Sequence, residues 1–205
     1  ANFFLPLQSG PAVRAGYLKK RHKVSIASYI LATFVYFGIY AIISVAFLFV
    51  ASSYWWLMLP ATILAGGFSY LVFNFTKNRL EKKYGTVKLD LSKNKLIKLV
   101  GLTLSQLLVQ ALIYGIELHS LHVKQFTIRH VFSYAGAANL SLFVSLTPGG
   151  IGFREAFLEF SRQLHHFSTN TILAASIIDR GVFLLFLGAL FIIMLTTHAK
   201  DKLKV

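Results

Sequence analysis

The reading of the fold turns on Val24–Thr76, VSIASYILATFVYFGIYAIISVAFLFVASSYWWLMLPATILAGGFSYLVFNFT, a stretch without a single Asp, Glu, Lys or Arg between Lys23 and Lys77. A helix that crosses the hydrocarbon core of a bilayer needs about 20 mostly apolar residues. The stretch is therefore long enough for two crossings. The break between them falls at Ser52-Ser53-Tyr54-Trp55-Trp56, because amphipathic Tyr and Trp rings settle at the water–lipid boundary. The chain reads as an integral membrane protein, with lipid as its solvent.

Composition agrees. Of the 205 residues, 56% are hydrophobic and 14% charged, against roughly 25% charged in a soluble domain. The basic excess, 21 Lys and Arg against 7 Asp and Glu, is of a size that could serve a nucleic-acid surface. Its distribution argues against nucleic acid, since the basic residues flank the apolar spans. Cysteine is absent, which excludes a disulfide framework or a thiolate metal site. The opening Ala1-Asn2-Phe3-Phe4-Leu5-Pro6 has neither an initiator Met nor a basic n-region, so no secretory signal is visible. We expect an N-terminally truncated piece of a longer protein.

Charge sets the expected topology. Sixteen of the 21 basic residues lie in three segments: 1–23, 77–98 and the tail around Lys200, Lys202 and Lys204. The positive-inside rule places those segments in the cytoplasm. One transmembrane domain, 1–205, follows, with spans at about 25–51, 53–75, 98–117 and 170–198. The segment 131–168 must then begin and end outside, as two spans or as a re-entrant pair. Its turn would be Thr147-Pro148-Gly149-Gly150-Ile151-Gly152. Irregular backbone at membrane depth is tolerated only where protein or a water-filled cavity covers it, which makes this break a candidate site.

The N-terminus carries the same pattern. Gly10-Pro-Ala-Val-Arg14-Ala-Gly-Tyr17-Leu18 and Gly150-Ile-Gly-Phe-Arg154-Glu-Ala-Phe157-Leu158 both read G-x-x-x-R-x-x-[YF]-L, behind Pro6 and Pro148. An odd number of spans between the copies would invert the second, as in transporters whose discontinuous helices hold substrate near the midplane. A helix that starts after a glycine turn presents unpaired N–H groups and the positive end of its dipole. Arg14 and Arg154, about one turn in, add a guanidinium fork suited to phosphate. The plainer alternative is that both snorkel to the interface.

Asp179 and Arg180 lie well inside the last span. Each would cost on the order of 2.5–3.5 kcal/mol at the centre of an isolated helix, so each needs a partner. Helical neighbours point about 100° apart and serve each other poorly. The economical pairing crosses helices: Arg154 with Asp179, and Glu155 with Arg180. It could be a structural lock or an ion pair that substrate opens. Two polar stripes run along other spans. Thr103, Gln106, Gln110, Tyr114 and Glu117 fall within about 80°, and Ser25, Tyr29, Thr33, Tyr36, Tyr40 and Ser44 within about 100°. Interhelical hydrogen bonding explains them, as would a groove along which a headgroup moves. Gly136, Ala137 and Ala138, and likewise Gly181 and Gly188, are expected at close helix contacts. His119, His122, His165 and His166 are expected at interfaces rather than at a metal, and no nucleophile–base set, nucleotide loop or cofactor box is present.

With Pro6, Gly10, Arg14 and Tyr17-Leu18, then Leu146-Thr-Pro-Gly-Gly-Ile-Gly-Phe-Arg154-Glu155-Ala156, then Ile178-Asp179-Arg180, the chain resembles the lysylphosphatidylglycerol synthase transmembrane-region family. That family is related to the flippase half of bacterial multiple-peptide-resistance proteins. The resemblance implies an all-α polytopic bundle in a bacterial inner membrane, with broken helices around a lipid cavity and further N-terminal spans. It also marks Arg14, Arg154, Glu155 and Arg180 as functional. It lacks the soluble aminoacyl-transferase domain of the two-part synthases, so lysine transfer is not assigned and no enzyme is expected. The full expected substrate-binding set is Arg14, Gln106, Gln110, Gly150, Arg154, Glu155, Asp179 and Arg180. Membrane lipids are the expected ligands, with no cofactor or metal, and with a transferase domain or a second copy as protein partner. The leading reading is a translocase for anionic, aminoacylated or polyprenyl-phosphate lipids. The alternatives are a membrane-embedded transferase or acceptor module, and a structural subunit.

Accessibility tags near Tyr84 and Lys202 should read cytoplasmic, and one near His122 external. An external reading at Tyr84 would overturn the topology and the inversion argument with it.

Overall fold

A computed structural model describes residues 10–50, 54–87, 92–122, 127–144 and 152–202, the side chains of 10–13, 144 and 197–202 excepted. Among these residues there are helices and no strand. They are α1 (Gly10–His22), α2 (Ile26–Phe49), α3 (Met58–Tyr84), α4 (Lys93–Ser120), α5 (Ile128–Val144), α6 (Phe153–Phe160), α7 (Arg162–His165) and α8 (Thr169–Lys202). Four segments are long and apolar enough to cross a membrane: Ile26–Phe49, Trp55–Tyr84, Lys93–Ser120 and Thr169–Thr196. They coincide with the four spans read from charge and hydropathy. The aromatic break is a short 3-10 turn, Trp55–Leu57, ahead of α3. Trp55 and Trp56 are exposed there, as an interfacial belt requires.

Helix starts follow local chemistry. Ser25 caps α2, its Oγ accepting from the Ser28 N–H at 3.0 Å, which satisfies one of the amides a helix start leaves open. Behind it α2 is apolar apart from its Tyr and Ser stripe, as suits a helix that packs against α3, α4 and α5 in lipid. In α3 no residue is buried: one side packs on α2, where a Cβ on Gly38 would fall 3.1 Å from Ser69 Cβ, and the rest is left to lipid or to neighbours outside this bundle.

The described helices of the hairpin are short. At 1.5 Å per residue, α5 is about 25 Å long and α6 about 12 Å, both short of the roughly 30 Å hydrocarbon core. Antiparallel contacts with α2 show how far α5 descends: Phe132 meets Phe47 near the end of α2, and Phe143 meets Phe37 and Tyr40 near its middle. The described part of α5 runs to Val144, and α6 begins at Phe153. The expected turn residues from Thr147 to Ile151, including Gly150, lie outside the described residues.

The core surrounds α5. Val131, Tyr134, Ala135, Ala137 and Ala138 are buried against Leu48 of α2, Ala111, Tyr114 and Leu118 of α4, Leu158 of α6, and Ile172 and Ala175 of α8. In lipid the hydrophobic effect does not drive helices together, so close packing and hydrogen bonds must. Both are present. Ser133 Oγ lies 2.5 Å from the Leu48 carbonyl and 3.0 Å from that of Leu164. A Cβ built on Gly136 would fall 2.4 Å from Leu48 N and 2.6 Å from Ser44 O, so α2 and α5 touch backbone to backbone. Gly181 and Gly188 differ from expectation, since nothing among the described residues lies within 4 Å of a Cβ at either. A small residue permits close approach but does not by itself recruit the neighbour.

Gly136→Ala should therefore lower thermal stability in detergent by roughly 1–3 kcal/mol or more, the usual cost of forcing atoms into a packed contact. Gly181→Ala should leave it unchanged or raise it slightly. Equal behaviour of the two variants would refute the backbone contact.

Candidate functional site

The break delivers two charged side chains to one place. Gly152, at φ +84° in the left-handed region that favours glycine, is the residue before α6. The first turn of the helix then carries Phe153, Arg154 and Glu155. Arg154 Nη1 donates to Asp179 Oδ2. Arg180 Nη2 donates to Glu155 Oε1 at 2.5 Å. Both cross-helix pairs read from the cost of burying charge are thus formed between α6 and α8. They lie about 15 Å below the start of α8, since α6 and α7 climb away from the break and α8 descends again beside them.

Glu155 has a second role. Its Oε2 accepts the Gly152 N–H at 2.8 Å, so one carboxylate caps the start of α6 and holds Arg180. The helix start is therefore occupied by the chain's own anion, and does not present its amides freely as the glycine break led us to expect. The uncommitted positive chemistry belongs to Arg154. This residue is 8% exposed, its guanidinium stands 5.3 Å above the Tyr114 ring, and its buried Nε and Nη2 have no acceptor among the described residues. Arginine carries five N–H donors and is always charged. Most of its hydrogen-bonding capacity is uncommitted here.

A cavity of about 210 Å3 opens on this group. α4 supplies Gln110 and Tyr114 to its wall, α5 Ala138 and Leu142, α6 Arg154, and α8 Asp179, Arg180 and Phe183. The two polar stripes meet and lead up to it. Tyr36 donates to Gln106 at 3.0 Å, Tyr40 to Gln110 at 3.4 Å, and Gln110 Nε2 to Tyr114 at 3.5 Å. The stripes are thus interhelical hydrogen bonds between α2 and α4 that end at the cavity.

Of the expected site residues, Gln110, Arg154, Asp179 and Arg180 line the cavity, and Glu155 braces Arg180 at its edge. Gln106 is exposed one turn away and is not in the wall. Arg14 is exposed on α1, which packs on α2, and is likewise absent from the wall. The two copies of the motif also enter their helices differently. Arg14 is the fifth residue of α1 and Arg154 the second of α6.

The structure adds Glu117 and Tyr134. Glu117 is 6% exposed and its Oε2 has no hydrogen-bond partner among the described residues. Tyr134 stacks edge-on against Tyr114 with its hydroxyl unpartnered. Glu117 was visible as the end of the α4 stripe, one turn beyond Tyr114, whereas nothing local marked Tyr134. His165 is fully buried in the connection outside the four spans, where its Nε2 meets the Leu158 carbonyl and its Nδ1 accepts the Phe167 N–H. Burial pulls its pKa down to about 4, so it is a neutral strut. Among the described residues no cluster of His, Asp and Glu could hold a metal ion.

A bundle of apolar helices around a half-buried charged cavity defines a multi-pass membrane protein. The family model described as the lysylphosphatidylglycerol synthase TM region matches residues 1–190, and the chain belongs to that family. No curated protein and no solved structure matches it.

Arg180→Leu should strand the Glu155 carboxylate and cost on the order of 3–5 kcal/mol. Replacing Glu155 and Arg180 together by apolar residues should recover much of that, less the lost cap on α6. Thermal unfolding of the three proteins checks this, and a double variant no more stable than Arg180→Leu would refute the pairing.

Proposed function

We propose that the chain is the core of a lipid translocase that engages the phosphate of an anionic, aminoacylated or polyprenyl-phosphate lipid. The carrying observation is Arg154, a buried guanidinium facing a cavity with its Nε and Nη2 uncommitted. A phosphate is the natural complement, since it accepts from two guanidinium nitrogens at once. The size of the space favours a headgroup. A volume of about 210 Å3 is below the ~300–1,000 Å3 of common small-molecule pockets, so the acyl chains stay in the bilayer. Alternating access would come from rocking one group of helices against another around the break. The cell inner membrane of a bacterium is the proposed location, with a transferase domain or a second copy of the chain as partner.

One observation favours a second reading. Glu117 and Asp179 both reach the cavity region, and a carboxylate there could act as base in a membrane-embedded transferase or acceptor module. That reading predicts a change in the lipid's covalent structure, and translocation predicts only a change of leaflet.

Reconstituted full-length protein should scramble anionic lipid. Arg154→Lys keeps the charge and loses the planar fork, so scrambling should fall about tenfold or more, the equivalent of one charge-assisted hydrogen bond of roughly 1.5–3 kcal/mol. Thermal stability should be largely kept. Full activity in Arg154→Lys would remove the guanidinium from the mechanism, and a chemically altered lipid would favour the transferase.

A further inference from the structure

Two ring pairs make rungs along the α2–α5 contact: Phe132 with Phe47 at 4.9 Å between centroids, and Phe143 with Tyr40 at 5.9 Å. Ser44 stands between Tyr40 and Phe47 on α2, and Asn139 between Phe132 and Phe143 on α5. Spacings of three, four and seven residues return a side chain to the same helix face, so both residues belong to this contact. Between the rungs the backbones touch, a Cβ on Gly136 falling 2.6 Å from the Ser44 carbonyl oxygen. Ser44 and Asn139 are each 0% exposed. Ser44 Oγ and both amide atoms of Asn139, Oδ1 and Nδ2, have no hydrogen-bond partner among the described residues. The serine does not dispose of its hydroxyl as its counterparts do. Thr33, Ser69, Thr103 and Ser105 each donate to the carbonyl four residues back, and Ser44 does not. A buried polar group without a partner bears its full desolvation cost, and three such atoms meet here from facing helices.

The set selects its ligand. The Asn139 amide offers two donors and an acceptor, and a hydroxyl can do both. A cation would serve the oxygens and strand Nδ2, and an anion would do the reverse. Neither residue lines the cavity beside Arg154, and both are sealed from the surface, so the ligand is small and neutral. Water both donates and accepts, and it is held where two to four polar groups converge. We infer that α2 and α5 bind an internal water between Ser44 Oγ and the Asn139 amide. It fastens α5 to α2 by hydrogen bonds, where Gly136 does so by shape. Ala138 and Leu142 wall the cavity and flank Asn139 on the same helix, so the water helps fix where that wall stands. The site is independent of what the cavity carries.

Solid-state NMR of the isotope-labelled full chain in lipid bilayers, with magnetisation transferred from water, tests the site directly. The Asn139 side-chain NH2 signal, assigned by its loss in Asn139→Leu, should appear at mixing times as short as those of Asn94, which is exposed at the start of α4. A signal as late as that of fully buried Leu107 overturns the water. That late signal is also what a direct Ser44–Asn139 hydrogen bond would give. Thermal unfolding is the second measurement. Asn139→Leu, close in volume but apolar, and Ser44→Ala should each lower the melting temperature, and the double variant should be little worse than the less stable single, because both lose one shared water. Stranded polar groups would instead gain from apolar replacement, so a melting temperature unchanged or raised in both single variants overturns the inference.

Discussion

The site depends on a guanidinium buried where water is scarce. Arg154 cannot discharge itself and cannot snorkel, being 8% exposed. Everything near it therefore acts as solvent substitute. Asp179 supplies the counter-charge, and the Tyr114 ring supplies a face. Such a pair is weak evidence of stability, since desolvation offsets most of the attraction. Its value lies in placement, because the turn at Gly152 sets the start of α6 against the flank of α8.

The break needs cover, and the packing of α5 provides it. A helix too short to cross the bilayer would leave carbonyls unpaired in lipid at its inner end. Here α5 is enclosed by α2, α4, α6 and α8. The glycine contact with α2 sets its height and the Ser133 hydroxyl ties its outer part to two carbonyls. α8 is joined to α6 differently, through ion pairs. One side of the cavity is thus held by shape and another by charge, and a charged ligand can disturb only the second.

Much of this was legible in the sequence, because lipid makes the rules strict. Val24–Thr76 could be little other than two spans, and Asp179 and Arg180 inside a third had to be paired across helices with Arg154 and Glu155. What was not legible depends on three-dimensional placement. The repeated G-x-x-x-R motif predicted equivalent helix starts, yet Arg14 and Arg154 sit at different positions in α1 and α6, and Arg14 does not reach the cavity wall. The glycine break promised free amides, but whether Glu155 would turn back onto Gly152 depends on a rotamer. Gly136, Gly181 and Gly188 read alike, and only the first has a neighbour close by. Tyr134 became part of the cluster through the way α5 rotates against α4, which no spacing on one helix encodes.

The cap on α6 has a kinetic consequence. Glu155 is covalently tethered three residues from the amide it binds, and tethering sets an effective concentration in the millimolar range or above. Stray anions from the aqueous phase, dilute by comparison, compete poorly for that amide. In the proposed translocase a lipid, already concentrated by confinement to the plane of the membrane, would meet the tethered carboxylate on more even terms than a dilute anion does. An anion that displaced this internal rival would be readily displaced in turn. A built-in competitor of this kind trades affinity for residence time, favouring brief occupancy and rapid turnover over tight capture.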